Sequence, residues 1–247
     1  MQMHGNTVLI TGGGSGIGRG LAVALHRAGN RVVVAGRRAS ALRAVTDAHP
    51  GMRPLGLDLA DAASVHQFAA RVTRDLPELN VVVNNAGTMA LEDPAVPNPA
   101  VIASIVATNL VGPMMLTSLL LPALVRQSRG AVINVTSALA FVPLAQAPSY
   151  CASKAGLHSY TESLRFLLRD SPIEVIEIAP PRVETDMTVS ADDGHTMNLD
   201  DFVAETMAQL AARPDAGEVV VDAARAVRYA ERDGAYAELF AAVNRAR

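Results

Sequence analysis

Tryptophan is absent from the 247 residues, while cysteine and lysine each occur once. Aromatic residues make up only 4% of the chain, so the core has to be aliphatic. The lone cysteine, Cys151, excludes an intrachain disulfide framework and fits a reducing, cytoplasmic setting. No basic segment precedes the first apolar stretch, so the N-terminus does not read as a secretory signal. The stretch 114–125 is broken by Thr117, Ser118 and Pro122 and reads as a buried helix; no membrane span is expected. A net charge of −3 argues against a surface for nucleic acid or anionic lipid. None of the six histidines has metal-ligand spacing, so no metal site is expected.

Half the residues are apolar, enough for a sizeable core in one α/β domain. Short β-branched runs alternate with longer helical patterns, which predicts βαβ units and a doubly wound parallel sheet flanked by helices on both faces. Strands are predicted at 7–11, 31–35, 54–58, 79–83, 131–136 and 174–178. Helices are predicted at 17–28, 40–48, 61–76, 99–125, 149–169 and 200–212. All but the third strand are continuous apolar runs, as expected of strands covered on both faces. The segment 187–212 is the least regular and is expected to form a lid over a substrate.

The first strand runs straight into Thr11-Gly12-Gly13-Gly14-Ser15-Gly16-Ile17-Gly18, and a helix follows. Glycines let a backbone turn tightly against a ligand, and a helix start offers free N–H groups to a pyrophosphate. The spacing fits neither G-x-G-x-x-G nor a Walker loop. At the end of the second strand a carboxylate would hold the ribose of NAD, and arginine would suit a 2′-phosphate. This chain has Gly36-Arg37-Arg38 and no carboxylate, which favours NADP(H) over NAD(H); the other reading is a solvated arginine pair. Asp58 and Leu59, after the third strand, fall where the adenine would lie, although Asp58 equally reads as a cap for the next helix.

The single lysine is Lys154, four residues after Tyr150, whereas the other basic residues are twenty arginines. On a helix these two positions share a face. A nearby ammonium favours phenolate, so Lys154 is expected to lower the Tyr150 pKa and make the phenol a proton donor and acceptor near neutral pH.

With the glycine loop and the Tyr150/Lys154 pair, the chain resembles the short-chain dehydrogenase/reductase family from about Thr7 to Thr185. Five motifs stand in family order: TGGGSGIG at 11–18, Asn84-Asn85-Ala86-Gly87, Asn109, Ser137 and Tyr150-Cys-Ala-Ser-Lys154. The resemblance implies a Rossmann fold and an oxidoreductase in which a nicotinamide cofactor supplies hydride. It implies that Tyr150 transfers the proton, that Ser137 steadies the carbonyl oxygen, and that Lys154 holds the nicotinamide ribose. Asn109 would hold a water in a proton relay. Gly12, Gly14, Ser15, Gly16, Ile17 and Gly18 would bracket the phosphates, Asn85, Ala86 and Gly87 would pass the adenine-side ribose, and Thr185 would meet the carboxamide. The family usually has Pro-Gly after the sixth strand; Pro180-Pro181 here makes that loop stiffer. The stretches 141–165 and 174–186 also resemble a subgroup named for D-alanine transfer to lipoteichoic acid.

Between Ser137 and Tyr150 the loop is strongly apolar, and Leu139, Phe141, Val142 and Ala147 are the candidate lining of a substrate pocket. A mostly apolar carbonyl compound or secondary alcohol is expected. His158 reads as a packed or interfacial residue and Cys151 as a buried thiol. Members of the family pair through the helices near 99–125 and 149–169, so a homodimer or homotetramer is expected. The competing reading is a catalytically idle dinucleotide sensor or scaffold on the same fold. Such proteins often lose the Tyr or Lys that this chain retains.

Overall fold

Strand β1 (Thr7–Thr11) is buried at every position and alternates its side chains between two cores. Val8 and Ile10 join one hydrophobic cluster, while Leu9 joins the other. A computed structural model describes residues 1–187, 196–213 and 215–245. After β1 come α1 (Gly16–Arg27), β2 (Arg31–Gly36), α2 (Ala39–Ala48), β3 (Arg53–Gly56), α3 (Ala62–Asp75) and β4 (Val81–Asn84). Then come α4 (Pro99–Val106), a π-helical turn (Ala107–Val111), α5 (Gly112–Leu124), β5 (Gly130–Val135) and a 3-10 turn (Ala138–Ala140). The chain continues through α6 (Pro148–Leu167), β6 (Ile173–Ile178), α7 (Leu199–Ala212), β7 (Glu218–Val219), α8 (Asp222–Arg228) and α9 (Tyr236–Val243).

All strand pairs are parallel, in the order β3-β2-β1-β4-β5-β6-β7. Leu21 of α1, Leu42 of α2, Phe202 of α7 and Ala224 of α8 cover one face. Phe68 of α3, Leu116 and Leu120 of α5 and Leu164 of α6 cover the other. This is the doubly wound, Rossmann-type sheet that the alternating pattern predicted. Its strand order reverses between β1 and β4, where such sheets open a crevice at their C-terminal ends. β3, with Pro54 and mostly exposed residues, lies at an edge, where a strand can lack an N–H.

Four elements differ from expectation, one of them the unpredicted α9. The helix predicted over 99–125 is interrupted by the π turn, which inserts an extra residue beneath Asn109. β7 has two residues and α8 has seven, too few to give a periodic signal. The segment Pro99–Leu124, despite its interruptions, has the length and mean hydropathy (1.7) of a membrane-crossing helix. Here its Ile105, Leu116, Leu120 and Leu124 are buried inside the protein.

A buried polar chain fixes α5 and α6 over the sheet. The Asn84 Nδ2 donates to Thr117 Oγ1 of α5 at 2.9 Å and to Asn134 Oδ1 of β5 at 2.8 Å. Asn134 in turn donates to Thr161 Oγ1 of α6 at 2.8 Å. Networks of this kind specify one packing, because any slip strands a buried polar group.

Candidate active site

The glycine loop leaves β1 at the crevice. Gly12 sits at φ +69°, and a Cβ there would lie 2.8 Å from the Ala86 Cα, so only glycine fits. Gly18 is equally closed: a Cβ would collide with the Gly12 carbonyl and the Asn85 amide. Thr11, which the sequence reading placed only as the head of the motif, ties the loop to the end of β4. Its Oγ1 accepts from the N–H groups of Asn85 (3.0 Å) and Ala86 (3.1 Å). The Asn85 side chain donates to the Thr11 carbonyl at 2.9 Å. Asn85 therefore braces the crevice with its amide. On the far side of the loop, Thr185 packs against Gly16.

Ser15 precedes α1, and its Oγ accepts from Arg38 Nη2 at 2.6 Å. One guanidinium is thus held at the mouth of the phosphate loop; Arg37 is exposed. Asp58 accepts from the Ala60 N–H at 3.0 Å, which is turn geometry. Asp61, rather than Asp58, caps α3 through the Ala63 N–H. Leu59 is buried, and its carbonyl lies against Gly112.

Ser137, Tyr150 and Lys154 come together beyond the end of β5, and all three are buried. The Ser137 hydroxyl accepts from the Leu139 N–H at 3.1 Å and is near enough to the Tyr150 phenol to act on its pKa. Lys154 Nζ donates to the Val135 carbonyl at 2.8 Å and lies 5.8 Å from the centre of the Tyr150 ring. Burial pushes the Tyr150 phenol up to about 12, with the Ser137 hydroxyl opposing it. Burial also brings the Lys154 ammonium down to about 8. The expected lowering of the Tyr150 pKa is thus absent: desolvation of the phenol outweighs the neighbouring Ser137 hydroxyl, and the Lys154 ammonium is turned to the Val135 carbonyl.

Asn109 projects from the π turn. Its Oδ1 accepts from the Thr88 N–H at 2.8 Å, and its Nδ2 donates to the Thr88 carbonyl at 2.9 Å and to Ser153 Oγ at 3.1 Å. The side chain is committed to these partners and braces the turn at Gly87. A Cβ on Gly87 would sit 3.6 Å from Lys154 Nζ. Glu92 is a further residue that the sequence reading missed. Its carboxylate accepts from both the N–H and the hydroxyl of Ser149, each at 2.9 Å, at the start of α6. A lone Glu in a loop carries no signal of that pairing.

The apolar loop after Ser137 divides. Ala147 is fully buried in a small cluster with Ile105, Tyr150 and Cys151, against which Met89, Ala90, Leu139 and Leu144 pack. Val142 is fully buried as well. Phe141 turns away and meets His158 edge-on at 4.7 Å. Of the expected lid 187–212, residues 188–195 lie outside the described residues. Phe202, within that expected lid, is a fully buried core residue of α7.

Comparison with known proteins agrees with this geometry. The short chain dehydrogenase family matches residues 6–196. DltE, an oxidoreductase of Bacillus subtilis (strain 168), is 40% identical over 195 residues, covering 78% of this chain and 77% of that protein. The NADP-dependent 3-hydroxy acid dehydrogenase of Schizosaccharomyces pombe is 27% identical over 206 residues, covering 81% of this chain and 80% of that one. A short chain dehydrogenase of Burkholderia cenocepacia J2315, solved in complex with NADP, superposes with a TM-score of 0.82 at 27% identity, over 97% of this chain and 99% of that chain. The chain therefore belongs to the short-chain dehydrogenase/reductase family, within the DltE-like subgroup, as an NAD(P)-dependent oxidoreductase.

Proposed function

We propose that the protein is an NADP(H)-dependent carbonyl reductase for a mostly apolar ketone or aldehyde, with Tyr150 as its general acid. The carrying observation is the buried Ser137–Tyr150–Lys154 group standing at the same end of the sheet as the glycine cradle. The cradle fits a dinucleotide, because Gly12 and Gly18 leave no room for side chains and α1 opens its N-terminus there. When bound, NADPH supplies the hydride. Arg38, seated on Ser15, is placed for a 2′-phosphate, and no carboxylate competes at the end of β2. The S. pombe relative and the Burkholderia structure, both associated with NADP, support that choice.

Lys154 keeps one bond to Val135, and its other protons are available to ribose hydroxyls. Ser137 holds the substrate oxygen beside the phenol. With its pKa at about 12, Tyr150 stays protonated throughout the neutral range, the protonation state from which reduction draws its proton. Leu139, Leu144, Met89 and Ala90 around Tyr150 favour an apolar substrate.

The test is a paired titration with NADPH and NADH, followed by nicotinamide fluorescence. NADPH binds more tightly, and Arg38→Ala weakens NADPH by about tenfold or more while sparing NADH, the scale of a lost charge-assisted bond. Equal binding of the two cofactors would overturn the NADP assignment. Tyr150→Phe lowers turnover by roughly 10²–10⁴-fold, the usual worth of a general acid, and leaves NADPH affinity unchanged.

A further inference from the structure

One buried carboxylate and one imidazole have no part in the reaction as described. Glu177 of β6 is 1% exposed, on a strand whose other buried residues are all aliphatic. Its Oε1 accepts from Thr136 Oγ1 at 2.7 Å, and its Oε2 pairs with His158 Nδ1 at 2.8 Å. Thr136 directly precedes Ser137. The same imidazole meets Phe141, the residue that closes the 3-10 turn after Ser137, at 4.7 Å edge-on. The Arg228 guanidinium lies over the Phe141 ring, 4.0 Å from its centre, and Arg228 is itself paired with Glu218. His158 thus reaches both ends of the short segment that presents the Ser137 hydroxyl, Phe141 directly and Thr136 through Glu177.

We propose that His158 is a positioning residue for Ser137, gripping its turn on the strand side through Glu177 and Thr136 and on the far side through Phe141. This rests on the reading of Ser137 as the residue that holds the substrate oxygen. The cost of burying Glu177 alone explains why the clamp is a pair. A carboxylate in a hydrophobic sheet is tolerated only with its donors in place. The clamp is also open to solvent at one edge. A cavity of about 510 Å³, lined by Ala140, Phe141, His158, Arg228, Glu231 and Arg232, reaches the imidazole. Protons therefore exchange with His158 without passing through the Tyr150 cluster.

The clamp responds to pH. Glu177 faces the imidazole from β6, Glu162 faces it from the next turn of α6 at 3.7 Å, and Arg228 approaches from α8. Glu231 and Arg232 border the same cavity, and Lys154 lies one turn earlier on α6. The hydrogen bond to Glu177 raises the His158 pKa above 6.5, against burial and Arg228. A group with a raised pKa contributes its charged bond fully below 6.5 and loses it as the pH climbs through the folded-state value. The grip on Ser137 is tightest in acid and slackens toward alkaline pH.

Amide hydrogen exchange over residues 136–142 reads the clamp without needing turnover. It is measured at one pH below 6.5 and one well above it, each corrected for intrinsic exchange. In the wild type, protection falls several-fold on the alkaline side. In His158→Gln, which keeps a donor for Glu177 but does not titrate, protection no longer depends on pH. Glu177→Gln gives the same flattening, and His66→Gln, at an exposed site, behaves as wild type. Turnover is followed with NADPH and 4-nitrobenzaldehyde as the carbonyl probe. His158→Gln lowers kcat by about tenfold to a hundredfold, the scale of displacing a catalytic group by about 1 Å, with KM for NADPH unchanged. Unaltered protection and pH response in both Gln variants would overturn the clamp. So would a fall in kcat accompanied by an equal loss of NADPH binding. If the exchange result holds while the wild type reduces no carbonyl, the clamp stands and the reductase reading fails.

Discussion

Lys154 is the residue where stability and the proposed activity pull apart. Its ammonium is buried with a single protein acceptor, and its pKa falls from 10.5 to about 8. That shift corresponds to about 3 kcal/mol of disfavoured charge. Below about pH 8 both folded and unfolded chains carry the proton, so the fold bears this cost in full. Between about 8 and 10.5 the folded chain releases its proton first, and the cost disappears. Lys154→Met is therefore expected to raise stability at neutral pH by about 1–2 kcal/mol, after roughly 1 kcal/mol is lost at the Val135 carbonyl. The same change removes turnover. Urea midpoints of both proteins at neutral and strongly alkaline pH check this, and a midpoint lowered at neutral pH sinks it. Tyr150 and Lys154 were legible as a pair from helix spacing, whereas Ser137 came only with the resemblance to the family. Glu177, Glu92 and Thr11 were not legible. Each acts through a partner 41, 57 or 74 residues away, at a distance no local pattern encodes. The side to which Phe141 turns was not legible, because an apolar loop residue can face either side of a turn, and the partner it meets, His158, sits on another element.

At the scale of elements, α6 shows how a loop can set a catalytic helix. Its first residue is Pro148, and Ala147 before it offers no side-chain cap. The free N–H of Ser149 is satisfied by Glu92, which also brings negative charge to the positive end of the helix. Tyr150 follows immediately, so the 88–98 loop and the proposed acid are fastened together. Glu92→Ala is expected to cost about 1 kcal/mol, the usual worth of a cap. It should also lower turnover more than it lowers NADPH affinity, because the phosphate loop lies on α1. Thermal unfolding and steady-state kinetics measure the two effects, and a variant whose cofactor affinity collapses along with turnover contradicts this placement. The buried strands were legible because apolar runs of four to six residues between turns have few other uses. The π turn was not, since its extra residue leaves the hydrophobic pattern of 99–125 unbroken. β7 escaped for a different reason. Two residues acquire strand geometry only because β6 is already there to pair with them.

At the scale of the molecule, the apolar helix pair α4–α5 exceeds what one chain can cover. Its most apolar window is 39% buried, and Ile102, Val111 and Val125 stand exposed along it. Phe166 and Leu167 continue exposed apolar surface at the end of α6, at 66% and 74%. The inner face of α5 is packed on the sheet and α3, and α4 is packed through Ile105 on α6, so neither can leave the fold to enter a bilayer without opening the core. A second copy of the same chain offers a matching face, because a two-fold axis lets one apolar patch bury its own equivalent. We propose a homodimer or homotetramer built on this surface. Sedimentation velocity of the wild type is expected to show no monomer at micromolar concentration. The paired change Ile102→Glu and Val111→Glu, which places four like charges across such an interface, shifts it to monomer. Both sites are exposed, so the substitutions leave the subunit's own fold intact, as far-ultraviolet circular dichroism would confirm. A wild type that sediments as a monomer would overturn this assembly.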